Sequence, residues 1–164
     1  MKLATLNNGS RDGQLIVVNK HGSRCVTVEH ICLTMQEALD DWENIAPQLE
    51  ETYDELNKNI PPDILPVDTT KLLAPLTRAY QFLDGSAYLA HVERVRKARG
   101  AEMPPSFLKD PLMYQATSDC FLAPSADIEV TSEDYGIDFE SEVAVIVDDV
   151  PMNVSVEDLS LIHI

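Results

Sequence analysis

Basic residues are scarce in this chain. Twelve Lys and Arg stand against 28 Asp and Glu over 164 residues, a formal net charge of −16. Such a chain repels a phosphate backbone, which excludes nucleic acid as an expected partner, and an anionic membrane surface is disfavoured for the same reason. No apolar run approaches the length that spans a bilayer, and Met1-Lys2-Leu3-Ala4 passes at once into polar Asn7-Asn8-Gly9-Ser10, leaving no secretory apolar region. Cysteine is limited to Cys25, Cys32 and Cys120. Their spacing fits no metal pattern and their odd number fits no disulfide framework, so free thiols in a reducing, cytoplasmic compartment are expected. A phosphate-cradling loop, a dinucleotide fingerprint and a Gly-x-Ser-x-Gly elbow are all missing. An enzyme built on this sequence is therefore better read as metal-assisted than as a serine hydrolase.

Hydrophobic residues make up 45% of the chain and fall in organised runs, so the acidity does not signal disorder. It favours solubility and can be focused where a cation binds. The length suits one modest domain or two small ones. Residues 3–6, 15–18 and 25–28 read as short strands separated by the turn signals Asn8-Gly9, Asp12-Gly13 and His21-Gly22, which predicts a compact β-unit. Thr34 followed by Glu37 forms a capping box. Leu39, Trp42, Ile45 or Ala46, Leu49, Tyr53 and Leu56 then recur at helical spacing, predicting one helix over about 35–58 that turns a core stripe to the sheet. Pro61, Pro62, Pro66 and Pro75 mark a crossing linker, with a boundary near 70–78.

In the second unit Asp84 is expected in a loop, and Ser86 caps a helix reaching about Arg99. Arg94, Arg96, Lys97 and Arg99 sit late in that helix, at the negative end of its dipole. They read as a solvated basic face or as contacts for an anionic substrate. Residues 101–134, broken by four prolines, read as irregular chain, and 139–147 as the clearest strand. That strand places Glu140 and Glu142 on one face, which continues with Ala144 and Ile146 as buried positions. Two carboxylates opening a buried face repel each other unless protonated or bridged by a cation, for which a hard ion such as Mg²⁺ is suited. The plain alternative is an exposed acidic strand face. Asp84 and His91, seven residues apart, form a second pair. An Asp at a pocket mouth suits a metal and a neutral His can take a proton from water, although a half-buried structural histidine is the simpler reading. His21 and His30 have no partner pattern.

The order of several segments carries a resemblance. Lys2-Leu3-Ala4-Thr5-Leu6, Leu73-Ala74-Pro75-Leu76, Asp84-Gly85-Ser86-Ala87-Tyr88 through His91 to Arg99-Gly100-Ala101-Glu102, Pro111-Leu112-Met113-Tyr114-Gln115, and Gly136-Ile137-Asp138-Phe139-Glu140-Ser141-Glu142-Val143-Ala144 together resemble bacterial fumarylacetoacetate hydrolases. The resemblance implies a small N-terminal β-rich, SH3-like domain with a helix over 1–72, then the start of a mixed β-roll catalytic domain over 73–158. It implies a divalent cation, Mg²⁺ or alternatively Mn²⁺ or Ca²⁺, held by Asp84, Glu140 and Glu142, with a further Asp beyond residue 164. His91 is implied as general base, and Tyr88, Tyr114 and Arg99 as contacts for a small anionic diketo-acid substrate. The implied activity of the full-length protein, expected as a homodimer, is hydrolysis of a carbon–carbon bond in fumarylacetoacetate to fumarate and acetoacetate. Hydratase, isomerase or decarboxylase chemistry on another keto acid is the alternative.

The sequence departs from the resemblance at Gln115-Ala116-Thr117-Ser118-Asp119, where relatives look like Gln-Gly-Gly-Ser-Asp; the loss of two glycines restricts a turn. Leu159-Ser160-Leu161-Ile162-His163-Ile164 resembles instead the translation of a transposon-type sequencing adapter, CTG TCT CTT ATA CAC ATC. Residues 159–164 are thus expected to be a non-native tail on a truncated chain, with negligible hydrolysis by these 164 residues or no more than a non-catalytic metal-binding remnant.

Overall fold

The structure is a computed structural model that describes residues 1–59, 62–86, 88–110, 112–134, 136–137 and 139–159. The tail assigned above to 159–164 falls, apart from Leu159, outside the described residues.

The chain opens with β1 (Leu3–Leu6), β2 (Gln14–Val18) and β3 (Arg24–Thr27), joined after a helical segment by β4 (Leu65–Pro66) in an antiparallel sheet of order β1-β2-β3-β4. Leu15-Ile16-Val17-Val18 is apolar without alternation because both faces of β2 are covered. Leu15 and Val17 pack with Val26, Val28, Leu49 and Leu56, while Ile16 and Val18 pack with Cys25. Val67 and Leu72 cover that second cluster. They belong to a strap that starts at β4 beside β3 and ends against β1. There Leu6 bridges Leu72, and the Leu73 N–H donates to Thr5 O at 2.9 Å. Proline is tolerated at Pro66 because β4 is an edge strand that need not donate outward.

Two turns show why glycine stands where it does. Gly13 has φ +64°, and a Cβ there would lie 2.5 Å from Thr5 Cγ2 and 2.8 Å from Leu6 O. Gly22, φ +71°, turns β2 into β3. The buried Asn19 ties that turn: its Oδ1 accepts from Ser23 N–H at 2.9 Å and Arg24 N–H at 3.1 Å.

The helix expected over 35–58 is two helices, α1 (Met35–Asp40) and α2 (Trp42–Lys58). The break is at Asp41, φ −134° and ψ 44°, whose Oδ1 accepts from Asn44 Nδ2 at 2.6 Å. The Asp41 carbonyl accepts from Asn44 N–H at 3.2 Å and Ile45 N–H at 3.0 Å, which opens the second helix. The restart also moves Pro47 from the interior of a long helix to the second turn of α2, where one intrahelical bond is lost. The capping box is present in shifted form. Thr34 Oγ1 accepts from Glu37 N–H at 3.1 Å, while Glu37 Oε2 accepts from Leu33 N–H at 2.7 Å, one residue upstream of the usual donor. Trp42, Ile45 and Tyr53 pack on the Leu49 and Leu56 cluster, as the helical stripe requires.

Beyond the strap, β5 (Phe82–Ser86) pairs antiparallel with β6 (Leu112–Ala116), and α3 (Leu89–Ala98) lies between them in sequence. Residues 101–134 are accordingly less irregular than expected. They contain β6 and a 3₁₀ turn over Pro105–Leu108 whose Phe107 is buried. Ser86 ends β5 and does not cap α3; the N-cap is Tyr88, without a side-chain cap bond. The four-stranded sheet with its helices, followed by a second, smaller sheet, gives the two-part β-rich architecture.

The chain divides into two compact units, Met1–Ser125 and Ala126–Ile164. In the second, α4 (Val156–Leu159) is the only helix among the described residues. The strand expected over 139–147 is absent from the described residues apart from an isolated bridge at Val147. An extended segment becomes a strand only when a neighbour completes its ladder. Among the described residues no strand pairs along this segment: Phe139 is 85% and Val143 96% exposed, and Ala144, expected to be buried, is exposed too.

Candidate functional site

Four of the five expected site residues of the first unit lie on β5, on its partner β6 and at the start of α3. Asp84 lies inside β5, not in a loop, directly opposite Tyr114 of β6. The ladder sets this pair, and the Tyr114 hydroxyl donates to Asp84 Oδ2 at 2.8 Å. Asp84 is half-buried and Tyr114 is exposed. Two residues separate β5 from α3. Tyr88 stands at the N-cap, in extended conformation, and His91 in the first turn of α3. Both are exposed. α3 is held down by the buried Val92. Its far end carries Arg96 and Lys97 in the last turn and Arg99 at the C-cap, where cations suit the helix dipole. The Arg99 main-chain N–H donates to Val95 O at 3.1 Å and its side chain is exposed.

Glu140 and Glu142 belong to the second unit, on exposed chain without regular structure. Among the described residues, no three His, Cys, Asp or Glu side chains are grouped as a metal site would require. The donor chemistry of Asp84, Glu140 and Glu142 nevertheless suits a hard divalent cation, since all three offer carboxylate oxygens. Cys25 and Cys32 are buried and burial raises their thiol pKa values, with Glu37 adding to the effect at Cys32. Neither is poised as a nucleophile or thiolate ligand.

One polar cluster joins residues that no local sequence pattern links. Arg78 Nε donates to Asp12 Oδ1 at 2.7 Å and Nη2 to Oδ2 at 2.8 Å, a two-pronged ion pair between residues 66 positions apart. The Arg78 hydrogen bond and charge hold the Asp12 carboxyl below its usual range against the opposing pull of burial, with help from Thr77 and Arg11. Beside it, Asn7, Ser10, Arg11, Thr77, Asp119 and Cys120 help to line a cavity of about 330 Å³. Main-chain bonds from Ala79 N–H to Ser118 O at 2.8 Å and from Phe121 N–H to Thr77 O at 2.9 Å knit the strap's end to the segment after β6.

A four-stranded sheet with helices, a strap, and then a strand–helix segment bearing an aspartate and a histidine follow one another along the chain. Two family models match the chain in succession. Residues 1–78 match the family model for the fumarylacetoacetase N-terminal domain 2, and residues 81–162 match that for the fumarylacetoacetate (FAA) hydrolase C-terminal domain. The chain belongs to the fumarylacetoacetate hydrolase family. No curated protein matches it. Among the described residues, no helix is long and apolar enough to cross a membrane.

Proposed function

We propose that the whole protein is a divalent-metal-dependent hydrolase that cleaves a carbon–carbon bond in a β-diketo acid, with fumarylacetoacetate as substrate and fumarate and acetoacetate as products. The observation that carries this reading is the ordered pair of family matches over 1–78 and 81–162. The motif residues Asp84, His91, Glu140 and Glu142 stand within the second of these.

Asp84, Glu140 and Glu142 are the proposed ligands of the cation, Mg²⁺ in the first instance. Their support is the match of residue type and order to the family pattern, together with an all-oxygen donor set. The cation supplies charge stabilisation for the keto–enol oxygens of the substrate. His91 is the proposed general base, taking a proton from the water that attacks the carbonyl carbon. The carbon–carbon bond then breaks, its electron pair leaving as a carbanion delocalised as an enolate, which is protonated to acetoacetate. Tyr88 and Tyr114 are proposed to orient the substrate, and Arg99 to pair with a substrate carboxylate as a planar two-pronged donor. We read the strap across the N-terminal sheet as an SH3-like closure, and the active protein as a cytoplasmic homodimer.

Product analysis of the full-length protein with fumarylacetoacetate tests the assignment. Fumarate and acetoacetate in equal amounts support it. Turnover of other keto acids without fumarate would move the protein to a hydratase, isomerase or decarboxylase reading.

A further inference from the structure

The loop between β1 and β2 carries the only Asn-Gly dipeptide in the sequence, Asn8-Gly9, with both residues exposed. Its hydrogen bonds are arranged with opposite polarity on the two groups that can react with each other. The Asn8 carboxamide oxygen, Oδ1, accepts from the Ser10 N–H at 3.0 Å and from the Ser10 hydroxyl at 2.7 Å. The Gly9 N–H donates to Asn7 Oδ1 at 3.0 Å. Gly9 has φ +86°, and nothing lies within 4 Å of the place a Cβ would take. We infer that Asn8 is a site of spontaneous covalent modification, its carboxamide converting through a cyclic imide to aspartate and isoaspartate.

The chemistry needs only water. The Gly9 main-chain nitrogen loses its proton to solvent and attacks Asn8 Cγ. A nitrogen–carbon bond forms as the carbonyl electron pair moves onto Oδ1. The negative charge arrives where two donors from Ser10 already point, the arrangement that stabilises an oxyanion. The pair returns, the Cγ–Nδ2 bond breaks, and ammonia leaves with a proton from solvent. Water then opens the imide at either carbonyl, giving aspartate or, through the main chain, isoaspartate. One water is consumed and one ammonia released, with no oxidation or reduction. Asn7, Asn19, Asn44, Asn57, Asn59 and Asn153 are each followed by a residue bearing a Cβ, which hinders approach to the nitrogen. Asn19 is in addition buried, with its Oδ1 held by Ser23 and Arg24.

The conversion places a new carboxylate beside Gly9, Ser10 and Arg11, which line the cavity that also contains Thr77 and Asp119. The test is peptide mass mapping of the whole chain after incubation at mildly alkaline pH, comparing wild type with Ser10→Ala and Ser10→Thr, folded and in urea. Asn8 is expected to convert faster than every other asparagine. In the folded chain Ser10→Ala is expected to slow this by about threefold to tenfold, less than in an enzyme's oxyanion hole because water can replace the lost donor. Ser10→Thr, which keeps both donors, is expected to restore the rate, and urea to remove the difference. Absence of conversion at Asn8, or a folded Ser10→Ala chain converting as fast as wild type or faster, would overturn the inference.

Discussion

Asp12 and Arg78 face each other as a two-pronged ion pair, with N–O distances of 2.7 and 2.8 Å. Asp12 precedes the glycine that turns β1 into β2, while Arg78 ends the first family match. The pair therefore ties the N-terminal hairpin to the exit of its domain. With 26% of the Asp12 side chain and 41% of Arg78 exposed, solvent screening keeps its contribution small.

Asp12→Asn should be mildly destabilising at neutral pH and remove part of the acid dependence of stability. The folded Asp12 carboxyl titrates below its unfolded value of about 3.9, so its contribution is present above that value and is lost as pH falls through the folded one. Urea denaturation at pH 7 and near pH 3 should show a difference between wild type and variant that shrinks in acid. A difference independent of pH would contradict the electrostatic account.

Leu49 and Leu56 are fully buried under the sheet. Either Leu→Ala change should cost about 2–5 kcal/mol. Thr34→Ala, which removes one cap bond to Glu37, should cost about 1 kcal/mol. Denaturant midpoints rank the three, and a cap variant as damaging as a core variant would contradict the packing described here.

Gly13→Ala should be the most damaging of the turn-glycine substitutions. Gly9 and Gly22 also have positive φ but open space around them, whereas a Cβ at position 13 meets Thr5 and the Leu6 carbonyl. Left-handed strain of about 1–2 kcal/mol applies at all three, and crowding adds about 1–3 kcal/mol at Gly13 alone. Equal thermal shifts for the three variants would contradict the close approach.

Much of the N-terminal fold was legible because its signals are local: an apolar run for β2, a capping box, and a helical stripe from Leu39 to Leu56. The break at Asp41 was not, because a single aspartate can continue a helix or restart one, and neighbouring hydrogen bonds decide. From sequence alone Asp84 reads as loop because its strand depends on β6, about thirty residues later, whose apolar stretch is short and follows a proline. The alternation at 139–147 overstated itself, since a pattern can mark a face without a neighbouring strand to pair with. Asp12 and Arg78, 66 positions apart, left no local trace at all. The Asp84, His91, Glu140 and Glu142 motif was legible only as an ordered resemblance, never from spacing alone.

If Asp84 is a ligand, Tyr114 holds it in place. Tyr114→Phe keeps the ring and removes the hydroxyl that donates to Asp84 Oδ2. Loss of such an orienting partner weakens divalent-cation affinity by about 10–100-fold, and Asp84→Asn should weaken it further. Calorimetric titration of Mg²⁺ or Mn²⁺ into the full-length protein checks both. Unchanged affinity in Asp84→Asn would remove Asp84 from the ligand set, while unchanged affinity in Tyr114→Phe alone would leave Tyr114 as a substrate contact.

The most direct test of the central claim is fumarate release from fumarylacetoacetate by the full-length protein, measured with Mg²⁺ and with a chelator, for wild type and for His91→Asn. Cation-dependent release of fumarate and acetoacetate in equal amounts is expected, lowered by about 100-fold or more in the variant. No fumarate, or release that ignores both the chelator and the loss of His91, would contradict it.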